Sequence, residues 1–303
     1  MRKILQRSVA SIVLLTSPAM AADIGIKAPP PAPVPVYSWT GFYVGGHLGA
    51  GISRDDWSAD QIDWFNVQLL GPFAGRVGPL TDAGSHNDVG LLGGFQVGYN
   101  WQFPSTPIVV GIEGEWSFAD LQGNHSNTTP FAGSFFGGAG LFTGVGTEAS
   151  RFSTKVEDIA TIAGRFGVTS GPQDRTLWYV KGGAAWVRDS FAETTHVTGE
   201  FTEASPSPVI GQFNGSGSVR HDRWGWVVGT GVELGLIGNW SAKIEYEFLD
   251  LGTMNFTMPI TGQLGANCAA CFIPIPSSFN RNSSVKQEIN VIKVGLNYRF
   301  WGY

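Results

Sequence analysis

The chain has 303 residues with 19 basic and 24 acidic side chains, a formal charge of −5. That balance excludes a nucleic-acid partner, which needs a basic stripe against the phosphates. Charged residues make up only 14%, against 42 glycines and 13% aromatics. No stretch has the ~20 continuous apolar residues of a spanning helix.

Met1 to Ala21 has the three parts of an export signal. Arg2, Lys3 and Arg7 make a positive start, Val9 to Leu15 a short apolar run, and Ala19-Met20-Ala21 a small-x-small cleavage site. The run is too short for a transmembrane anchor and is followed by Pro18. Cleavage leaves Ala22-Asp23 at the mature start, with 16 basic residues against 24 acidic, a formal charge of −8. Residues 22–38 form an extended periplasmic segment, because Pro29, Pro30, Pro31, Pro33 and Pro35 favour polyproline geometry over sheet pairing. Residues 39–303 form the third unit.

From Gly41 onward, eight segments alternate apolar with polar or small residues at a period of two, the strand period. They are Gly41 to Gly51, Gly90 to Gln102, Ile108 to Ala119, Ile159 to Val168, Leu177 to Val187, Trp224 to Leu236, Trp240 to Leu251 and Gln287 to Phe300. The last is the cleanest. Ile292, Val294, Leu296, Tyr298 and Phe300 fall on one face, and Lys293, Gly295, Asn297 and Arg299 on the other. Each segment is long enough for a tilted strand across a bilayer, and an even count closes without a free edge. The connections alternate. Phe103 to Pro107, Ser170 to Asp174 and Ile237 to Asn239 are short. Ile52 to Val89, Asp120 to Asp158, Arg188 to Arg223 and Gly252 to Lys286 are long. A transmembrane barrel places its long loops at one end in this way. The expected fold is therefore all-β: an eight-stranded antiparallel up-and-down transmembrane barrel with long extracellular loops and short periplasmic turns.

The long connections are rich in Gly, Ser, Thr and Asn, as in Gly133 to Gly146, and read as solvated surface. The acids Asp55, Asp56 and Asp60 add a second reading there, contact with divalent cations or lipopolysaccharide. Cys268 and Cys271, in Cys-Ala-Ala-Cys, point to a structural disulfide in an exported protein. A redox site would need a βαβ context, and two cysteines do not complete a zinc site.

Four stretches carry a family resemblance. They are Ser38-Trp39-Thr40-Gly41-Phe42-Tyr43-Val44-Gly45-Gly46, Gly94-Phe95-Gln96-Val97-Gly98-Tyr99-Asn100-Trp101-Gln102, Lys243-Ile244-Glu245-Tyr246-Glu247-Phe248-Leu249-Asp250-Leu251-Gly252 and Val294-Gly295-Leu296-Asn297-Tyr298-Arg299-Phe300. Together and in order they resemble the small porin-like outer-membrane surface antigens of α-proteobacteria, relatives of the OmpA-type membrane domain. The resemblance implies an abundant eight-stranded outer-membrane barrel exposed as an antigen. It also implies a signal for the barrel-assembly machinery in the last strand, carried by Ile292, Val294, Leu296, Tyr298 and Phe300. The chain runs on through Trp301, Gly302 and Tyr303, so either Phe300 or Tyr303 is the aromatic read. The start at Ala22 before a proline-rich spacer resembles members whose N-terminal alanine is joined to peptidoglycan; a plain periplasmic tail is the other reading.

The inward face bears Glu113, Glu115, Glu233, Glu245 and Glu247 against Arg165, Lys181, Lys243, Lys293 and Arg299. An eight-stranded barrel has an interior only wide enough for side chains to fill. Unpaired buried charge is costly, so these ten should pair and plug the lumen. A narrow diffusion pore for small solutes is the alternative. Neither catalytic nor cofactor-binding nor metal residues are expected. The histidines show no metal spacing, and His47 reads as a hydrogen-bonded interior residue. The resulting expectation is a non-enzymatic envelope protein, with an adhesin or lipid-modifying enzyme as the lesser readings. Its expected partners are outer-membrane lipid and lipopolysaccharide, the assembly machinery and peptidoglycan.

Overall fold

The computed structural model describes residues 37–61, 76–77, 81–137, 140–202, 209–267 and 275–300. The signal segment, Ala22, Cys268, Cys271 and residues 301–303 lie outside the described residues.

The strands are β1 (Gly41–Gln61), β2 (Arg76–Val77), β3 (Thr81–Gln102), β4 (Ile108–Gly137), β5 (Gly140–Ser170), β6 (Thr176–Thr202), β7 (Val209–Gly235), β8 (Trp240–Asn267) and β9 (Ile275–Phe300). Each of the eight long strands pairs antiparallel with its neighbours in the chain, and β1 pairs with β9 from Phe42↔Phe300 to Gln61↔Arg281. The eight-stranded sheet is thereby closed through its membrane-facing half, where no edge is left unpaired. Farther out, the β3–β4 ladder stops at Val89 and the β7–β8 ladder is interrupted between Ser216 and Trp226. The two-residue β2 lies against the outer part of β4.

The short connections fall where the sequence places them. Phe103 N–H donates to Ile108 O, and Leu236 N–H donates to Trp240 O. Gly238 takes φ +65°, a left-handed turn position where glycine has no Cβ to strain. Between β5 and β6 the turn is a single 3-10 turn, Pro172–Asp174.

The other end departs from the sequence expectation. Most residues predicted as long loops continue the ladder, and β5 alone is 31 residues long. A tilted membrane strand needs only ~9–11 residues. The excess forms a β-walled extension beyond the membrane-facing half. Register shifts mark the junction, between Phe118 and Leu121 in β4, Val156 and Asp158 in β5, and Asp250 and Thr253 in β8. Such bulges bend a strand and reset which residues face in. In β8 the reset is made at Gly252, whose φ is +63°.

Below the junction the outward face is apolar. Phe95, Ile112, Phe118, Ile162, Phe166, Val180, Ile244, Ile292, Val294 and Leu296 are all exposed. A continuous apolar band of this kind is stable against hydrocarbon and not against water. Aromatics edge the band. Trp101, Trp178 and Trp240 stand beside the short turns, and Trp240 lies 5.2 Å from Tyr298. At the far edge Trp186 sits opposite Trp224 in register and 5.3 Å from Trp116. Two aromatic levels flanking an apolar band match the two interfaces of a bilayer. Above the upper level the outward positions turn charged, and exposed ion pairs join Lys155 to Asp120, Arg188 to Asp222 and Lys286 to Glu288.

Candidate functional site

The lumen is filled along its length by four distinct layers. At the periplasmic mouth, Tyr37 to Thr40 fold under the barrel. Trp39 is fully buried, donating from its backbone N–H to Gln102 Oε1 (3.0 Å) and from Nε1 to Asp174 O (2.8 Å). Tyr37 and Ser38, read from sequence as the end of a linker, belong to this closure. Arg299 caps it. Its Nη1 donates to Ser38 O at 2.7 Å, and its guanidinium lies 4.7 Å from the centre of the Trp39 ring.

Above the mouth, the membrane-facing half holds the charged cluster. Strand alternation points Glu113 and Glu115 of β4, Arg165 of β5, Lys181 of β6, Glu233 of β7, Lys243, Glu245 and Glu247 of β8, and Lys293 of β9 to the axis. All are buried. Lys181 Nζ lies 3.0 Å from both Glu115 Oε2 and Glu245 Oε1, 3.3 Å from Glu113 Oε1, and also contacts Glu247. Lys243 Nζ bridges Glu115 Oε1 (2.8 Å), Glu113 Oε2 (3.3 Å) and Glu245 Oε2 (3.5 Å). Lys293 Nζ reaches Glu115 Oε2 (2.5 Å), Glu247 Oε2 (2.7 Å) and Glu245 Oε1 (3.2 Å). Arg165 joins Glu233 Oε2 (2.9 Å) to Glu113 Oε2 (3.4 Å) and lies 3.9 Å from the Tyr179 ring centre. Tyr43 and Tyr179 donate to Glu113 and Glu245 at 2.8 and 2.6 Å.

The structure thus brings nine of the ten sequence-selected charges together and leaves Arg299 at the mouth. The reason is position along the strand: Arg299 lies at the end of β9, three inward positions below Lys293. Five carboxylates therefore meet four cations. Ser241, at 2.5 Å, and Asn297, at 2.8 Å, donate to Glu233 Oε1 and supply neutral hydrogen bonds in place of a fifth cation. His47 is held between Gln96 Oε1 (2.6 Å) and Ser117 Oγ (2.7 Å). The assembly-signal residues Ile292, Val294, Leu296, Tyr298 and Phe300 lie outward on β9, away from the lumen.

An apolar collar closes the lumen above this cluster, formed by residues such as Leu92, Leu121, Val156, Val187, Leu249 and Ile289. The extension beyond it has an aromatic core, with Phe191 5.0 Å from Phe256 and Trp57 4.9 Å from Phe152. Two groups of buried charge interrupt that core. In one, Arg281 contacts Asp82 (3.4 Å), Glu148 (3.0 Å) and Glu193. Burial raises the Glu193 carboxyl to about 7, with Arg281 opposing the shift. In the other, Asp55, His86, Asp88, Asp189 and Arg223 share the interior. Burial, with Asp88 nearby, raises the Asp55 carboxyl to about 8. Sequence reading missed both groups. It placed Asp55 and Asp56 together in a solvated loop, whereas Asp55 points in and Asp56 points out beside Arg54.

The family comparison agrees with this architecture. Residues 8–300 match the outer membrane protein β-barrel domain family. The 31 kDa outer-membrane immunogenic proteins of Brucella melitensis biotype 1 and Brucella suis biovar 1 are each 29% identical to this chain, over 99% of it and 100% of their own length. Among solved structures, OprG of Pseudomonas aeruginosa aligns at a TM-score of 0.34 and 10% identity, covering 86% of this chain and 97% of its own. Ail, the attachment invasion locus protein of Yersinia pestis, aligns at 0.29 and 10% identity, covering 84% and 99%. The chain belongs to the outer membrane protein β-barrel domain family, and its place is the cell outer membrane.

Proposed function

We propose that this protein is a non-conducting structural barrel of the outer membrane, which supports envelope integrity and presents its extension at the cell surface. One observation carries the reading: three lysines and an arginine cross-link five glutamates across the lumen. An apolar collar lies on one side of this cluster and the buried Trp39 on the other. An ion passing through would have to break several buried pairs at once, each costly to leave half-made. Planar-bilayer recording tests this. Purified protein inserts without stable current steps; well-resolved single-channel steps would sink the reading and favour a narrow diffusion pore.

The partners follow from the outer face. Partly exposed Arg188 and exposed Arg220 stand just above the apolar band, at the level where anionic lipopolysaccharide groups meet a barrel. The outward row ending at Phe300 is the stretch available to the assembly machinery. The proposed peptidoglycan link at Ala22 rests on the sequence alone, on an alanine start before a proline-rich spacer. Muramidase digestion followed by mass spectrometry tests the last point; a native envelope yielding only the free Ala22 amine removes it. Nothing in the charged cluster resembles a nucleophile–base pair, so the proposed role involves no catalysis. A deletion strain keeps its lipid A acylation pattern and becomes more sensitive to detergent. Altered acylation would argue for an enzyme instead.

A further inference from the structure

One interior layer of the extension is short of positive charge. Asp55, Asp88 and Asp189 are all buried there. The arginine beside them is Arg223, whose Nη1 lies 3.7 Å from Asp189 Oδ2. Among the described residues, three carboxyl groups of this layer face one guanidinium and one imidazole. A buried excess of carboxyl groups is disfavoured unless protons or a cation balance it.

Three donors of this layer converge. Asp55 of β1 pairs in register with His86 of β3, and Asp88, two residues on, faces the same way. His86 Nε2 lies 3.3 Å from Asp88 Oδ1 and 3.9 Å from Asp55 Oδ2. One ligand atom from each residue falls within 4.8 Å of the other two. In a tetrahedral site with metal–ligand bonds of ~2.0–2.1 Å, ligand atoms stand about 3.3 Å apart. The His86–Asp88 edge has that spacing, and the His86–Asp55 edge is longer, at 3.9 Å.

The hydrogen bonding leaves this set unsatisfied. Thr154 Oγ1 is 2.5 Å from Asp88 Oδ2, 3.1 Å from Asp55 Oδ2 and 2.7 Å from His86 Nε2. A hydroxyl has one proton, so it serves only one of the two carboxylates. Asp88 Oδ1 is buried and accepts no hydrogen bond. It faces Gly123, where a Cβ would collide with it, so the glycine keeps that oxygen clear of side-chain cover. A buried carboxylate oxygen without a hydrogen bond, turned toward an imidazole nitrogen and near a second carboxylate, is a donor set for a cation.

We propose that Asp55, His86 and Asp88 bind one divalent transition-metal ion of the zinc class inside the extension. One imidazole and two carboxylates suit zinc or manganese, whereas an all-oxygen cage suits calcium. A +2 ion supplies the positive charge that these carboxyl groups lack. It ties β1 to β3 above the junction, where the wall has left the bilayer.

The test uses Zn2+ as the probe. The full mature chain is refolded into detergent micelles with Zn2+, passed through a chelating column and analysed for metal by mass spectrometry. The parent retains one zinc per chain. Asp88→Asn and His86→Gln, each still heat-modifiable on gels, retain less than about a tenth of it. A folded parent that holds no zinc, as it would if protons alone balanced the layer, overturns the proposal. So does equal retention by the parent and both variants. Should the variants fail to fold, Co2+ in the parent decides. The visible absorption of four-coordinate cobalt appears and is abolished by added Zn2+; its absence overturns the site.

Discussion

The two halves of β9 use one alternation for opposite purposes. From Ile292 to Phe300 the even positions are apolar and face out, while Lys293, Asn297 and Arg299 face in. From Phe279 to Val291 the same parity holds, but four of the seven buried odd positions are apolar, Phe279, Val285, Ile289 and Val291, beside Arg281, Ser283 and Gln287, with Asn282 and Lys286 outside. The backbone does not change between the halves; its solvent does. Where hydrocarbon surrounds the wall, charge goes inward and must pair. Where water surrounds it, apolar side chains enter the interior beside the two groups of buried charge, as in a soluble barrel. The extension makes the transition with bulges at Gly252 and near Glu157.

The difference between the halves predicts how each one breaks. The largest effect is expected from Lys181→Met in the membrane half. Its ammonium contacts four carboxylates, and removing one partner of a buried ion pair costs about 3–5 kcal/mol. The variant should give little heat-modifiable barrel, measured by gel shift after refolding. Lys286→Met, in the exposed Lys286–Glu288 pair, should change stability by less than about 0.5 kcal/mol. Similar losses at both sites would remove the distinction between the two environments.

Phe191→Ala attacks the other half. The ring is fully buried between Phe152 and Phe256, and such truncations cost about 3–5 kcal/mol. The damage should stay local, because the extension has its own core. Limited proteolysis should cut the extension while the membrane half remains protected. Loss of the whole fold would show that the halves are one cooperative unit.

A smaller effect distinguishes the halves by pH. Glu193, above the membrane, is raised from 4.5 to about 7 by burial. A raised carboxyl holds its proton more tightly when folded than when unfolded. Its contribution is fully present below about 4.5 and is lost as pH climbs through about 7. The extension should therefore become more protease-sensitive between those values, by about 1–3 kcal/mol, and Glu193→Gln should flatten the profile. A profile unchanged by the substitution would exclude Glu193 as the source.

How legible each half is in the sequence follows the same logic. Against lipid, every outward position must be apolar, so Leu296, Val294 and Ile292 stand out against Lys293 and Asn297. The eight membrane segments, the short turns and nine clustered charges follow from that alternation. In the extension the outer face meets water and tolerates Ser, Asn, Thr or charge, while the inner face mixes Trp57 with Ser53 and Asp55. Neither face is uniform, so those stretches read as loops. Bulges hide the rest: past Gly252 the inward residues of β8 shift from odd to even, from Leu249 and Leu251 to Phe256, Met258 and Ile260. The mouth was unreadable for another reason. Trp39 is placed by Gln102 and Asp174, which are far from it in sequence.

A further modest effect concerns the junction itself. At φ +63°, Gly252→Ala forces a side chain into left-handed geometry, at about 1–2 kcal/mol. Its thermal shift in micelles should be smaller than that of Phe191→Ala; a larger one would make the bulge, and not the aromatic core, the principal support of the extension.

The inversion is tested most directly by spin labels along the outer row of β9. Single cysteines at Ser284, Lys286, Ile292, Val294 and Leu296, with Cys268 and Cys271 replaced by serine, carry nitroxides in reconstituted vesicles. Collisions with oxygen report lipid, and collisions with a polar nickel chelate report water. The account predicts oxygen dominance from 292 to 296 and chelate dominance at 284 and 286. Chelate access equal at all five positions would contradict it.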